Sequence, residues 1–168
     1  MSRIKDSWQW QQLSDEQRAI ITAHQSSVPV NLGAIAREFG VPVKAATLGP
    51  GVSGEIRPNP DGGYIIRVNR HDSPRRQRFT VAHELAHFLL HKDQIGSGIT
   101  DDALYRSNKS SRIEAEANRL AADLVMPTAK VRAAADELRA SDVSDLSASL
   151  AERFGVSDAA MTIKLGGE

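Results

Sequence analysis

The chain has 168 residues, of which 40% are hydrophobic and 5% aromatic, enough for one substantial core but not for two. Lys plus Arg and Asp plus Glu each number 21, so the net charge is zero and nothing in the composition points to a nucleic-acid or strongly acidic partner. There is no cysteine, which excludes a disulfide framework and any thiolate metal site and leaves only histidine and carboxylate to hold a metal.

Met1 to Leu13 has no apolar core of the signal-peptide kind, and no stretch approaches 18 apolar residues, so a cytoplasmic chain without a membrane span is expected. Ser14-x-x-Gln17 reads as a capping box that opens a short, solvated helix over residues 14–23. Asn31 caps a second helix whose stripe is Leu32, Ile35, Ala36 and Phe39, with Gly40 as its stop and Pro42 beyond. Three strands follow, over 43–48, 52–57 and 64–69. They are divided by Gly49-Pro50-Gly51 and by Asn59-Pro60-Asp61-Gly62-Gly63, and together they predict a small antiparallel sheet. Ser73 and Pro74 are the cap and first position of the next helix. Residues 92–110 are polar, contain Gly96-Ser97-Gly98, and read as a long loop. Helices are then predicted over 111–126 (stopped by Pro127), 128–140, 143–154 (ended by Gly155) and 156–165.

The helix after Ser73 contains His83-Glu84-Leu85-Ala86-His87, set in a run from Phe79 to Leu90 that is apolar nearly all round. Two histidines four apart lie on one face, one turn from each other. Buried ionisable groups need partners, and a zinc ion held by both imidazoles, with Glu84 beside a water in its open position, would serve all three residues. With 5 histidines and 9 glutamates in the chain, random placement gives this pattern with an expectation of about 0.008, so chance explains it poorly. The bland reading, two core histidines and a surface glutamate, leaves Glu84 little surface to occupy.

A catalytic zinc needs a third ligand and one open position. Glu114 is preferred, because Glu114 and Asn118 lie four apart on the apolar face that continues through Ala117, Ala121 and Val125. Asn118 is then placed to hydrogen-bond a ligand histidine. Ser111-x-x-Glu114 is also a capping box, which would occupy Glu114 without any metal. A rival ligand is Asp93, six residues after His87, but the glycine needed to turn the chain is replaced by Leu90, and the helix is expected to run on. His91 reads as a helix-end residue or a support to a ligand, and Glu116 as solvated.

The residues 78–87 (Arg-Phe-Thr-Val-Ala-His-Glu-Leu-Ala-His), followed by Glu114-Ala115-Glu116-Ala117-Asn118 and the run to Met126-Pro127, resemble the ImmA/IrrE family of zinc metallopeptidases. The resemblance includes the helix from Val30 to Val41 and the strand ending Ile66-Arg67-Val68-Asn69, and covers roughly residues 28–165. It implies a compact, gluzincin-like α+β domain, a small antiparallel sheet packed on a helical core that carries the H-E-x-x-H helix. By residue, it implies one zinc per chain on His83, His87 and Glu114, with Glu84 as catalytic base. It further implies an endopeptidase acting on a helix-turn-helix repressor or similar regulator, in a stress response or a mobile element. The domain reading is an N-terminal helical extension over 1–27 and a metallopeptidase domain over 28–168. For the oxyanion of such a reaction, Tyr105 and His71 are the candidate donors.

Two further features carry competing readings. Leu150-Ala151-Glu152-Arg153-Phe154-Gly155-Val156-Ser157 resembles the start of a helix-turn-helix. However, residues 158–164 hold one acid and one base, so packing beneath the core is preferred and direct DNA binding is not expected. Arg67, Arg70, His71, Arg75, Arg76 and Arg78 form a basic cluster, read as solvated strand-end and helix-start positions. The alternative to a protease is a non-catalytic metal-binding or DNA-binding module, against which an intact Glu84 argues.

Overall fold

A computed structural model of the chain describes residues 4–102 and 108–166. Among these residues the fold is α+β, with eight helices and four strands. The first helix, α1 (Trp8–Gln12), has no apolar stripe to announce it; Ser7 caps it, its side chain accepting from Trp10 N. Helix α2 (Asp15–Ala23) has both halves of the expected capping box, Ser14 Oγ accepting from Gln17 N at 3.1 Å and Gln17 Oε1 accepting from Ser14 N at 2.9 Å. It is less solvated than its sequence suggests, because Ile21 is buried completely and belongs with Ile4 and Leu13 to the common core. Helix α3 (Leu32–Glu38) buries Leu32, Ile35 and Ala36, is capped by Asn31, and stops at Gly40, whose φ of +76° is the left-handed conformation that glycine tolerates.

The sheet is mixed rather than antiparallel. Its strands β1 (Val43–Ala46), β2 (Val52–Pro58), β3 (Tyr64–Asn69) and β4 (Ile99–Asp102) lie in the order β1-β3-β2-β4. Strands β2 and β3 form the expected antiparallel hairpin, closed by Asn59 N to Gly63 O and Gly62 N to Asn59 O. Strand β1 does not pair with β2; it lies parallel to β3, Val43 opposite Ile66. The reason is on β3, where the consecutive residues Ile65 and Ile66 are both buried. A strand apolar on both faces belongs in the interior of a sheet, so β3 inserts between its predecessors and Gly49-Pro50-Gly51 becomes a passage rather than a hairpin turn. Strand β4 and a short 3-10 turn (Lys92–Gln94) stand in what reads as loop, because a four-residue edge strand borrows its definition from β2.

Helix α4 (Pro74–Leu90) lies across β2 and β3, and α5 (Asn108–Val125) packs along α4. From Thr80 to His87 every residue of α4 is buried. Ile56, Ile66 and Val68 of the sheet, Val81, Ala82, Leu85 and Ala86 of α4, and Ala117, Leu120, Ala121 and Leu124 of α5 form the centre of the core. At roughly 1.5–3 kcal/mol for each large side chain, this burial is what holds two polar histidines in the interior. Helices α6 (Thr128–Ala140), α7 (Leu146–Phe154) and α8 (Asp158–Lys164) close the core from below, through Val131, Leu150, Phe154 and Met161. No helix among the described residues is long and apolar enough to cross a membrane.

Candidate metal centre

The helical repeat sets His83 and His87 side by side on α4, and α5 brings Glu114 to them. His83 Nε2 is 2.7 Å from Glu114 Oε2, His87 Nε2 is 2.9 Å from Glu114 Oε1, and the two Nε2 atoms are 3.2 Å apart. All three residues are buried, and one ligand atom from each lies within 4.8 Å of the others. Burial pushes the Glu114 carboxyl up, but the hydrogen bonds and charge of His83 and His87 outweigh it and hold the group well below the usual carboxylate range.

The chemistry of these donors fits a divalent cation. Asn118 Oδ1 is an acceptor, 2.8 Å from His83 Nδ1; a neutral imidazole donating to it from Nδ1 would turn the lone pair of Nε2 toward Glu114. A lone pair facing a carboxylate at 2.7 Å is satisfied only by a positive charge between them. A proton serves one such contact at a time, whereas a metal ion serves both imidazoles and the carboxylate together.

Glu84 is fully buried on α4 and packs against β2. The facing residue on β2 is Gly54, which lets α4 approach closely: a Cβ there would collide with Thr80 Cγ2 at 2.3 Å, while it would only touch Glu84 Cγ at 3.7 Å. This glycine was missed at the sequence level, although a glycine within a predicted strand is itself a sign of close approach. A cleft of ≈ 1210 Å³ reaches the cluster at Thr80, His83 and Asn118 and continues past Phe79, Arg119 and Met126.

Other expected residues lie elsewhere. Asp93 is exposed in the turn after α4, which ends at Leu90 instead of running on, and it takes no part in the cluster. His71 is exposed at the end of β3, its Nε2 3.2 Å from Thr47 Oγ1, and is not among the residues lining the cleft. Tyr105 falls outside the described residues. Glu116 is not solvated: it is half-buried, 3.5 Å from His91 Nε2 and 3.2 Å from Arg112 Nε. Burial, with the neighbouring His87, lowers the His91 pKa against the opposing pull of Glu116 and Glu114.

The basic cluster lies largely at the surface, as its strand-end and helix-start positions suggest, and several members are paired within the protein. Arg67 pairs with Glu55 at 2.8 Å, Arg76 Nε donates to Ser53 Oγ, and Arg75 is 3.6 Å from Asp158. Arg78 donates to Val30 O at 2.7 Å, and its pKa is lowered by burial. On α8, Lys164 points inward and meets Asp123 of α5 at 2.9 Å.

Comparison with known proteins agrees with this geometry. The chain is 37% identical, over 55% of its length and 40% of the relative's, to the radiation response metalloprotease IrrE of Deinococcus deserti. A solved structure described as a Mycobacterium tuberculosis transcriptional regulator shares its fold, with a TM-score of 0.58 and 23% identity over 90% of this chain and 47% of that one. The chain thus spans less than half the length of either. The IrrE N-terminal-like domain, Peptidase M78, matches residues 36–165, and the chain belongs to that family.

Proposed function

We propose that the protein is a zinc-dependent endopeptidase whose substrate is a helix-turn-helix transcriptional repressor or a similar regulatory protein. The observation that carries the reading is the convergence of His83 Nε2, His87 Nε2 and the Glu114 carboxylate, with the buried carboxylate of Glu84 on the same helix. His83, His87 and Glu114 would hold the zinc, one per chain. When bound, zinc supplies Lewis acidity and brings the pKa of a coordinated water toward about 7. Glu84 is the base: its carboxylate takes the proton of the attacking water and returns it to the leaving amine nitrogen. Asn118, 2.8 Å from His83 Nδ1, would keep the His83 proton there and leave Nε2 for the metal. The cleft past Phe79 and Met126 offers an apolar wall to a polypeptide. The repressor assignment is supported by the resemblance to the family, and a cytoplasmic location accords with such a target.

Glu84→Gln isolates the chemistry, because Glu84 is the base and not a ligand. Wild-type protein should contain close to one zinc by mass spectrometry and should cut a co-expressed repressor encoded beside it. The variant should keep its fold and zinc and lose proteolysis by about a hundredfold or more. Equal cleavage by both proteins would assign the activity to another protease. An intact regulator with zinc-loaded wild type would reject that substrate, and an unstructured peptide library would then show whether the site cuts at all.

A further inference from the structure

The two histidines of the cluster are supported from behind in different ways. His83 ends on one side-chain amide, that of Asn118, which is exposed. His87 is backed by a second imidazole. His87 Nδ1 and His91 Nδ1 are 3.0 Å apart in the interior, His91 Nε2 is 3.5 Å from Glu116 Oε2, and Glu116 Oε1 is 3.2 Å from Arg112 Nε. The run crosses from the C-cap of α4 to the first half of α5, the same two helices that contribute His87 and Glu114.

Two proton arrangements satisfy the contact between the imidazoles. In one, His91 Nδ1 donates. The His87 proton then sits on Nε2, where it blocks the cluster, and His91 Nε2 turns a lone pair toward the Glu116 carboxylate, acceptor against acceptor. In the other, His87 Nδ1 donates, its Nε2 is bare, and the His91 proton on Nε2 lies toward the Glu116 carboxylate at 3.5 Å, beyond a formed hydrogen bond but within electrostatic attraction. The carboxylate, held by Arg112, selects the second.

We infer that His91 and Glu116 are positioning residues that lock His87 in the tautomer able to bind a metal, with the Arg112 guanidinium anchoring the far end. The inference rests on the reading of His83, His87 and Glu114 as a metal site. It makes the two histidines unequal: His87 is backed by an imidazole polarised by a carboxylate, and His83 by a neutral amide, so His87 is the more firmly oriented ligand. His91 is thereby excluded as a ligand itself, since the nitrogen nearest the cluster is already used on His87.

Zinc affinity, measured on the full chain by competition with a chromophoric chelator, tests this, together with the visible absorption of the cobalt-loaded protein. His91→Ala should weaken zinc by about ten- to a hundredfold and shift the cobalt bands. His91→Asn puts a carboxamide oxygen near the Nδ1 position and should recover most of that affinity. Glu116→Gln, which no longer prefers a donor, should fall between His91→Ala and wild type while the metal-free protein unfolds at the wild-type temperature. Wild-type affinity and spectrum in His91→Ala would overturn the inference, as would His91→Asn binding no better than His91→Ala. Should His91→Ala fail to fold, the other two decide: wild-type affinity in Glu116→Gln overturns the relay. A wild type that binds neither zinc nor cobalt overturns the metal-site reading itself, whereas a wild type that binds alongside unaffected variants overturns only the relay.

Discussion

Helix α5 carries two buried polar clusters, and they differ in what would complete them. At its C-terminal end, the three N–H donors of Lys164 Nζ meet three acceptors: Asp123 Oδ1 at 2.9 Å, Thr128 Oγ1 at 3.1 Å and Lys5 O at 3.4 Å. Asp123 Oδ2 accepts in turn from Ser7 N and Oγ, and Thr128 donates to Asp6. The Lys164 ammonium meets the Asp123 carboxylate and each of its protons has an acceptor, so nothing further is asked of a ligand. Some ten residues earlier on the same helix, Glu114 faces two imidazole nitrogens at 2.7 and 2.9 Å, and Glu84 adds a second buried carboxylate. Its three ligand atoms lie close enough for one divalent cation to join them. Burial of polar groups therefore does not distinguish a site from a structural knot; the convergence of metal-ligating atoms does.

The difference can be broken from either side. The largest effect is expected from Asp123→Ala, which leaves the Lys164 ammonium buried without its carboxylate and should lower stability by about 3–5 kcal/mol. Urea denaturation should show the same loss with zinc and with chelator, because the knot is independent of the metal. A loss seen only with zinc would join the two clusters into one. A smaller effect is expected from Gly54→Ala, which pushes a methyl group against Thr80 and toward Arg67 O, forcing β2 and α4 apart. It should cost about 1–3 kcal/mol and reduce turnover through Glu84, with urea denaturation and peptide hydrolysis as the measurements. Wild-type stability would mean that the helix accommodates a side chain there. Zinc titration should then rank Glu114→Gln as the most damaging of three changes, Asn118→Ala as an about tenfold loss, and Asp93→Asn as silent. A rank with Asp93→Asn first would move the third ligand into the turn after α4.

What was legible in the sequence was whatever is local. Capping boxes, glycine stops and prolines placed α2, α3, α4 and α6 to within a residue or two, because those signals act within one turn of chain. The pairing of His83 and His87 with Glu114 and Asn118 was legible for the same reason on each helix, and the H-E-x-x-H spacing supplied the link between them. The parallel pairing of β1 with β3 was not, since two antiparallel partners and one inserted strand leave the same alternation in the chain. Glu116 was misread because its partners, His91 and Arg112, come from two helices, and helical phase alone turned it toward solvent. The burial of Lys164, which the sequence showed only as the one base of residues 158–164, was not legible for a similar reason: its three acceptors come from residues 5, 123 and 128.

The bond from Lys164 to the Lys5 carbonyl spans 159 positions, and that from Ser7 to Asp123 spans 116. Closing such long loops costs more entropy than closing short ones, so these contacts are expected to form late in folding and to open early. The helix pair around Glu114, by contrast, joins residues about 30 apart. Amide exchange should accordingly be fastest where the two ends of the chain meet and slowest along α4. The molecule would then unlatch at its termini while the cluster between α4 and α5 stays assembled.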